Sequence, residues 1–295
     1  MEVIQLHIVP ENTLKSRLSE YGLIAFDGMY SKSAFKKMIA RNEVLVNGNV
    51  GKTGDWVNVG DNIELLAPKN HGQKDFKLNL EIVFEDDYMA VVNKPAGIPV
   101  SGNQHRTIQN ALRFVLQPSP EQDALAVPRP AHRLDALTSG LLLIGKTSNV
   151  LLQLNRQFEE KSIKKKYVAL VVGEIAVEGE IDTPIEEKKS FTRYQRKSKI
   201  KSLKSDIISL VELNPTTGRT HQLRKHLSGI GHPILGDELY TANRPLLRGK
   251  GLFLSAVSIC FTHPKSEKEI YLEVPMPPKF KRRMAYEQKR WEKFN

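Results

Sequence analysis

Residues 128–145, Pro128-Arg129-Pro130-Ala131-His132-Arg133-Leu134-Asp135-Ala136-Leu137-Thr138-Ser139-Gly140-Leu141-Leu142-Leu143-Ile144-Gly145, change character within a short span. Two prolines stiffen the entry, Ser139-Gly140 closes the polar part, and the four aliphatic residues that follow read as a buried strand. Asp135 therefore sits on a constrained loop at the entrance of a strand. In an extended chain Arg133 and Asp135 project to one side and His132 and Leu134 to the other. A guanidinium beside a carboxylate keeps it ionised at neutral pH, which suits a nucleophile better than a general acid. Residue types alone fit an ordinary surface Arg–Asp pair better still. Gly140 to Thr147 also satisfies the phosphate-loop pattern GxxxxGK[ST]. That loop needs flexible backbone wrapped around phosphates, however, and Leu-Leu-Leu-Ile leaves none, so a nucleotide triphosphatase is set aside.

From residue 78 to 295 the chain alternates strands with single helices. Strands are expected at 80–84 and 89–92 as a hairpin about Glu85-Asp86-Asp87, and at 141–145, 167–172, 206–213, 252–261 and 269–274. Helices fit 148–160, capped by Ser148, and 220–230, with Leu223, Leu227 and Ile230 inward. Strands outnumber helices and several adjoin by hairpin, which predicts an α+β domain on a mainly antiparallel sheet. No repeat period is present.

Residues 1–67 form a smaller unit. Asn12-Thr13 is a candidate cap for a helix through Leu14, Leu18 and Tyr21, and Ser31/Ser33 for a second carrying Phe35, Met38 and Ile39. Val44-Leu45-Val46 runs into Asn47-Gly48, a primed hairpin turn, and a further strand covers 57–66. The helices also carry Lys32, Lys36, Lys37 and Arg41. This ααβ pattern, ending VLVNGNV…VNVGDNIELL, resembles the S4 RNA-binding module, and the resemblance implies that those four cations face RNA. Residues 68–77, opening PKNHGQK, read as a linker.

Composition narrows the class. The 295 residues hold 44 Lys+Arg against 33 Asp+Glu, a formal net charge of +11, which favours a polyanionic partner. With 40% apolar and 26% charged residues the chain is an ordinary globular one. It has no long apolar run and no secretory leader at its start, which points to the cytoplasm and away from membranes. A single cysteine, Cys260, excludes internal disulfides and cysteine-zinc knuckles. His221 and His226, five apart on a helix, are poorly spaced for a metal, and none is expected.

Four separated blocks carry a second resemblance. His132-Arg133-Leu134-Asp135 with Thr138-Ser139-Gly140 is similar to the catalytic motif of the RluA-type pseudouridine synthases. Lys94-Pro95-Ala96-Gly97, the strand Lys165-Lys166-Tyr167-Val168-Ala169, and Gly218-Arg219-Thr220-His221-Gln222-Leu223-Arg224 with Gly231-His232-Pro233-Ile234-Leu235-Gly236-Asp237 and Tyr240 resemble that family's other motifs, in order. The resemblance implies isomerisation of uridine in structured RNA, with ribosomal RNA favoured over transfer RNA. It makes Asp135 the catalytic aspartate, Tyr167 the residue packed on the target base, Arg219 the aspartate's ionic partner, and Arg133 the side chain that fills the flipped nucleotide's gap. His132 and Arg224 are further expected RNA contacts. The reaction breaks the C1′–N1 bond, turns the base and joins C1′ to C5, so no atoms are lost. No cofactor and no obligate protein partner are expected. A noncatalytic RNA-binding or ribosome-assembly factor that keeps the fold is the alternative.

Two basic segments stay open. Residues 188–204 carry Lys188, Lys189, Arg193, Arg196, Lys197, Lys199, Lys201 and Lys204 without an acid, fitting either a phosphate-tracking hairpin or a solvated loop. The C-terminal KFKRRMAYEQKRWEKF fits either an RNA contact or helix packing.

Overall fold

The computed structural model describes residues 3–26, 31–67, 76–241, 247 and 249–295, so most of the expected linker, residues 68–75, lies outside the described residues. The chain divides into two compact units, Met1–Gln73 and Lys74–Asn295.

The smaller unit contains β1 (Val3–Ile8), β2 (Ser16–Arg17), α1 (Leu18–Ala25), α2 (Lys32–Ala40), β3 (Val44–Val46), β4 (Asn49–Val50), β5 (Trp56–Val57) and β6 (Asn62–Leu66). Ser31 caps α2, its hydroxyl accepting the Ala34 N–H at 3.1 Å. Phe35 and Ile39, one turn apart, enter a core with Leu18, Tyr21, Val44 and Ile63. Asn47 and Gly48 both take positive φ, 51° and 76°, as a primed two-residue turn requires. The strands order β1-β6-β3-β4, with β2 and β5 paired separately. That small pair corrects the expected start of the first helix. Ser16–Arg17 is held extended against Trp56–Val57, so α1 begins at Leu18 and Leu14 is 88% exposed. The expected 57–66 strand breaks at a turn in which the Asp61 carboxylate accepts the Asn58 N–H at 2.7 Å. Lys36, Lys37 and Arg41 are exposed on or beside α2, and Lys32 pairs with Glu20 at 2.6 Å.

The larger unit contains β7 (Glu81–Glu85), β8 (Met89–Lys94), α3 (Ile108–Val115), β9 (Ala124–Pro130), β10 (Ser139–Thr147), α4 (Ser148–Glu159), β11 (Lys164–Val172), β12 (Glu178–Ile181), β13 (Thr192–Ser202), β14 (Asp206–Pro215), α5 (Gln222–Gly229), β15 (Leu254–Thr262), β16 (Glu269–Glu273) and α6 (Pro278–Phe294). One sheet runs β12-β13-β14-β11-β15-β10-β8-β7, with β9 on β10 and β16 on β15. This is the α+β, mainly antiparallel architecture expected. The exception is the two-residue parallel contact of β10 with β15, Ser139 on Ser255 and Gly140 on Ala256. Alternation along β11 assigns the two faces. Ala169 and Val171 pack with α5, whereas Leu170 and Val172 pack with Phe280 of α6. Thr147 rather than Ser148 caps α4, its hydroxyl accepting the Val150 N–H at 3.3 Å.

The phosphate-loop match is a buried strand. Lys146 is 2% exposed and its ammonium donates to Glu85 Oε1 at 2.9 Å and to the Asp86 carbonyl at 2.6 Å. The 188–204 run is no free loop either, since β13 pairs with β14 from Thr192 to Ser202. Among the described residues no helix is long and apolar enough to cross a membrane.

Candidate active site

Asp135 lies on the loop joining β9 to β10, and buried groups on both sides hold that loop. Leu134 enters the core beside α3. Lys94, at the end of β8, has no exposed surface, and its ammonium donates to the carbonyls of Pro95, Ala136 and Thr138 at 2.9, 3.0 and 2.8 Å. Three acceptors match the three donors of an ammonium. Burial pushes the Lys94 pKa down to about 8, and the nearby Asp135 charge opposes that fall. The Ala136 carbonyl also accepts the Gly97 N–H at 2.7 Å, which ties Lys94-Pro95-Ala96-Gly97 to the loop.

With the backbone fixed, the Asp135 carboxylate faces a cleft of ≈ 590 Å³, bordered by Arg133, Tyr167, Arg219, His221, Arg224 and Leu254 among others. That volume is suited to a small organic group. Tyr167 stands on the α5-facing side of β11, opposite Ala256, just after an irregularity in the β11–β15 pairing, and packs against the cores on both sides of the seam. Burial first, and the Asp135 charge second, push the Tyr167 phenol well above its usual pKa, so it stays neutral.

Among the described residues, the guanidinium nearest Asp135 belongs to Arg224. Its Nη1 is 3.6 Å from Asp135 Oδ2, while Nε and Nη2 donate to Asp237 at 2.7 and 2.8 Å. Arg224 is 3% and Asp237 0% exposed. Burial raises the Asp237 pKa, but the hydrogen bonds and charge of Arg224 outweigh it and leave the carboxyl below its ordinary value. His221 approaches from the other side, with Nε2 at 3.8 Å from Asp135 Oδ1 and Nδ1 at 2.9 Å from the Tyr240 hydroxyl. A left-handed backbone, φ 57° and ψ 24°, turns His221 inward at the start of α5.

This arrangement changes one expected pairing. Arg219 is exposed on the cleft rim, and its Nε donates to the Lys189 carbonyl at 3.2 Å, whereas Arg224 was expected only as an RNA contact. Arg219 precedes α5, and its backbone N–H is held by the Gln222 side chain at 3.0 Å. Arg224 lies inside the helix on its buried side, where Asp237 orients it. Motif order alone does not separate two arginines five residues apart. Arg133 is exposed at the cleft. His132 lines the cleft as a wall residue, its Nε2 accepting the Leu143 N–H at 3.1 Å and its ring lying 4.6 Å from Phe158. Burial, with Lys165 adding repulsion, takes its pKa down to about 3, so it offers no charge to a phosphate. Lys94, His221 and Asp237 were visible in the sequence only as members of motif blocks. Among the described residues no cluster of His, Cys, Asp and Glu could hold a metal.

A carboxylate beside a neutral aromatic ring, in a cleft rimmed with cations, can hold and attack a planar electrophile on a polyanionic chain. Residues 88–229, which include the Asp135 loop, match the profile of the RNA pseudouridylate synthases. The chain is 30% identical to the ribosomal large subunit pseudouridine synthase D of Nitrosomonas europaea, over 91% of this chain and 83% of that protein. It is 33% identical to the ribosomal large subunit pseudouridine synthase C of Vibrio vulnificus, over 83% and 84%. A solved structure of human RNA pseudouridylate synthase domain containing 1 superposes with a TM-score of 0.55 at 27% identity, covering 68% of this chain and 84% of that one. The chain belongs to the RNA pseudouridine synthase family, and such enzymes are isomerases.

Proposed function

We propose that the protein converts specific uridines of large-subunit ribosomal RNA to pseudouridine in the cytoplasm, with Asp135 as the nucleophile. The observation that carries this reading is the partly exposed Asp135 carboxylate, 27% accessible in the cleft, with the Arg224 guanidinium 3.6 Å behind it. Arg224 and His221 flank and aim the carboxylate, Tyr167 stacks on the extruded uracil, and Arg133 fills the gap in the RNA. Asp135 bonds to the nucleotide, the C1′–N1 bond breaks, the uracil turns in place, C1′ bonds to C5 and the bond to Asp135 is released, and the proton lost from C5 is balanced by one gained at N1. Ribosomal RNA is favoured because the named relatives act on the large ribosomal subunit and because the first unit carries the S4-like pattern, with exposed Lys36, Lys37 and Arg41.

The test is to map pseudouridines in total RNA from cells with and without the gene, then to repeat the reaction with purified protein and Asp135→Asn. The expected result is loss of defined sites in large-subunit RNA. The purified variant should make no detectable product while keeping RNA affinity within about tenfold, or about 1.4 kcal/mol. Substantial turnover by Asp135→Asn removes the nucleophile assignment, and sites lost only from transfer RNA remove the ribosomal one.

A further inference from the structure

The C-terminal helix α6 is not part of the cleft. It packs through Phe280 on the sheet face opposite Tyr167, and its buried Glu287 accepts from Ser202 Oγ at 2.8 Å and pairs with Arg283. At about 100° per residue, Phe280, Met284, Glu287 and Trp291 share the inward side. Lys279, Arg282, Arg283, Tyr286, Lys289, Arg290 and Lys293 then fall within one flank of roughly 120° that contains no acid. A helix built only for solubility interleaves Glu with Lys at four-residue spacing. Here the flank is of one sign, and Tyr286, 52% exposed, stands at its centre with the guanidinium carbons of Arg283 and Arg290 5.2 and 5.7 Å from its ring.

A second basic element connects this helix to the cleft. β13 starts beside the turn whose Lys189 carbonyl holds Arg219 on the cleft rim, and it ends at Ser202 against Glu287. Eleven residues at about 3.3 Å each make this a path of roughly 35 Å. Arg193, Arg196 and Lys199 are matched by Glu180 and Glu174, whereas Lys197, Lys201 and Lys204 are exposed and have no acidic partner among the described residues.

We infer that the basic flank of α6, centred on Tyr286 and reached along the outer part of β13, is a second RNA-binding surface of the catalytic unit. It engages substrate RNA that leaves the cleft and passes round the β13 side of the sheet. Arg282, Lys289, Arg290 and Lys293 bind phosphates, and Tyr286 offers a ring to an unpaired base. The inference rests on the family's RNA substrate and is independent of which RNA is modified.

The experiment compares wild type, the quadruple variant R282Q/K289Q/R290Q/K293Q and the single variant Tyr286→Ala. The probes are a long transcript of whichever RNA carries a mapped site and a hairpin of about twenty nucleotides taken around that site. Thermal melts establish that both variants are folded. The quadruple variant should bind the transcript at least about tenfold more weakly, with a log affinity against log salt slope shallower by roughly three units, and the hairpin as wild type does. Tyr286→Ala should weaken transcript binding severalfold without changing the slope. Unchanged transcript affinity and slope in the quadruple variant overturn the inference. So does a loss of binding only to vesicles containing anionic lipid, which would make the flank a membrane contact. Turnover at saturating hairpin is expected to stay at the wild-type level, so this outcome is separate from any failure of the Asp135 assignment.

Discussion

Asp237 grips Arg224 through two hydrogen bonds of 2.7 and 2.8 Å and leaves Nη1 to face Asp135 at 3.6 Å. Both members of the gripping pair are almost wholly buried, so Arg224 has a fixed orientation before any RNA arrives. The Leu239 and Tyr240 backbone N–H groups complete the Asp237 shell at 3.0 and 3.2 Å. A carboxylate outside the cleft thereby sets the geometry of the carboxylate inside it.

Asp237→Asn should therefore damage both folding and chemistry. Leaving a buried guanidinium without its counter-charge costs about 3–5 kcal/mol. Urea unfolding should show this loss, and the single-turnover rate should fall more than RNA affinity does. A variant with unaltered stability would mean the pair contributes nothing net.

The two arginines of the Gly218–Arg224 block should respond differently to a conservative change. Arg224→Lys loses the planar fork and should reduce the single-turnover rate by at least about 100-fold. Arg219→Lys, on the exposed rim, should raise KM while leaving the saturated rate within about threefold. The reverse order would return the ionic role to Arg219.

Lys94 predicts opposite trends in stability and activity at alkaline pH. Its pKa is about 8 in the folded protein against an ordinary 10.5, so between these values the unfolded chain binds more protons. The Lys94 contribution to stability therefore rises from about pH 8 to about 10.5. Over the same rise the neutral amine keeps only two donors for three carbonyls and no longer supplies charge beside Asp135. The single-turnover rate should fall above about pH 8, as a pH–rate profile with Lys94→Met as control can show. A flat wild-type profile through pH 9 would disconnect Lys94 from catalysis.

Removal of the first unit tests the S4-like reading. The larger unit has its own cores, so a chain starting at Phe76 should fold and modify a short hairpin as the full chain does. On a long transcript its salt slope should become shallower by about one unit for each phosphate that the first unit's lysines and arginines neutralise in the full chain. Equal slopes and affinities would mean that Lys36, Lys37 and Arg41 do not touch RNA.

The elements legible in the sequence were those where local preference and tertiary packing agree. Ser31, Asn47-Gly48 and the aliphatic run of β10 each point to one structure. Two of the missed elements, β9 and β13, carry mixed signals. β9 holds Pro128 and Pro130 and is tolerated because it pairs only with β10, off the main path of the sheet. β13 is mostly polar along its length and depends on β14 for its pairing. The first helix starts late because a two-residue strand pair takes Ser16–Arg17, residues of its expected first turn. Asp135 and Tyr167 were legible as motif members, and both border one cleft. Arg224 and Asp237 were not assigned their relation, since a hydrogen bond across a loop leaves no periodic trace in sequence.

The contact between β10 and β15 has a further consequence. Gly140 has φ 116°, and a methyl group there would lie 2.0 Å from the Ala256 carbonyl oxygen. This narrow joint connects two half-sheets, one leading from the loop that carries Asp135 and the other containing the strand that carries Tyr167. Met89, Leu141 and Leu143 of one half pack with Ile259 and Phe261 of the other in a core that spans the joint, so the working distance between carboxylate and ring belongs to neither half alone. A chain in which one half is folded and the joint is open would retain secondary structure yet be catalytically silent, so enzyme activity measures closure of the whole sheet more stringently than circular dichroism does.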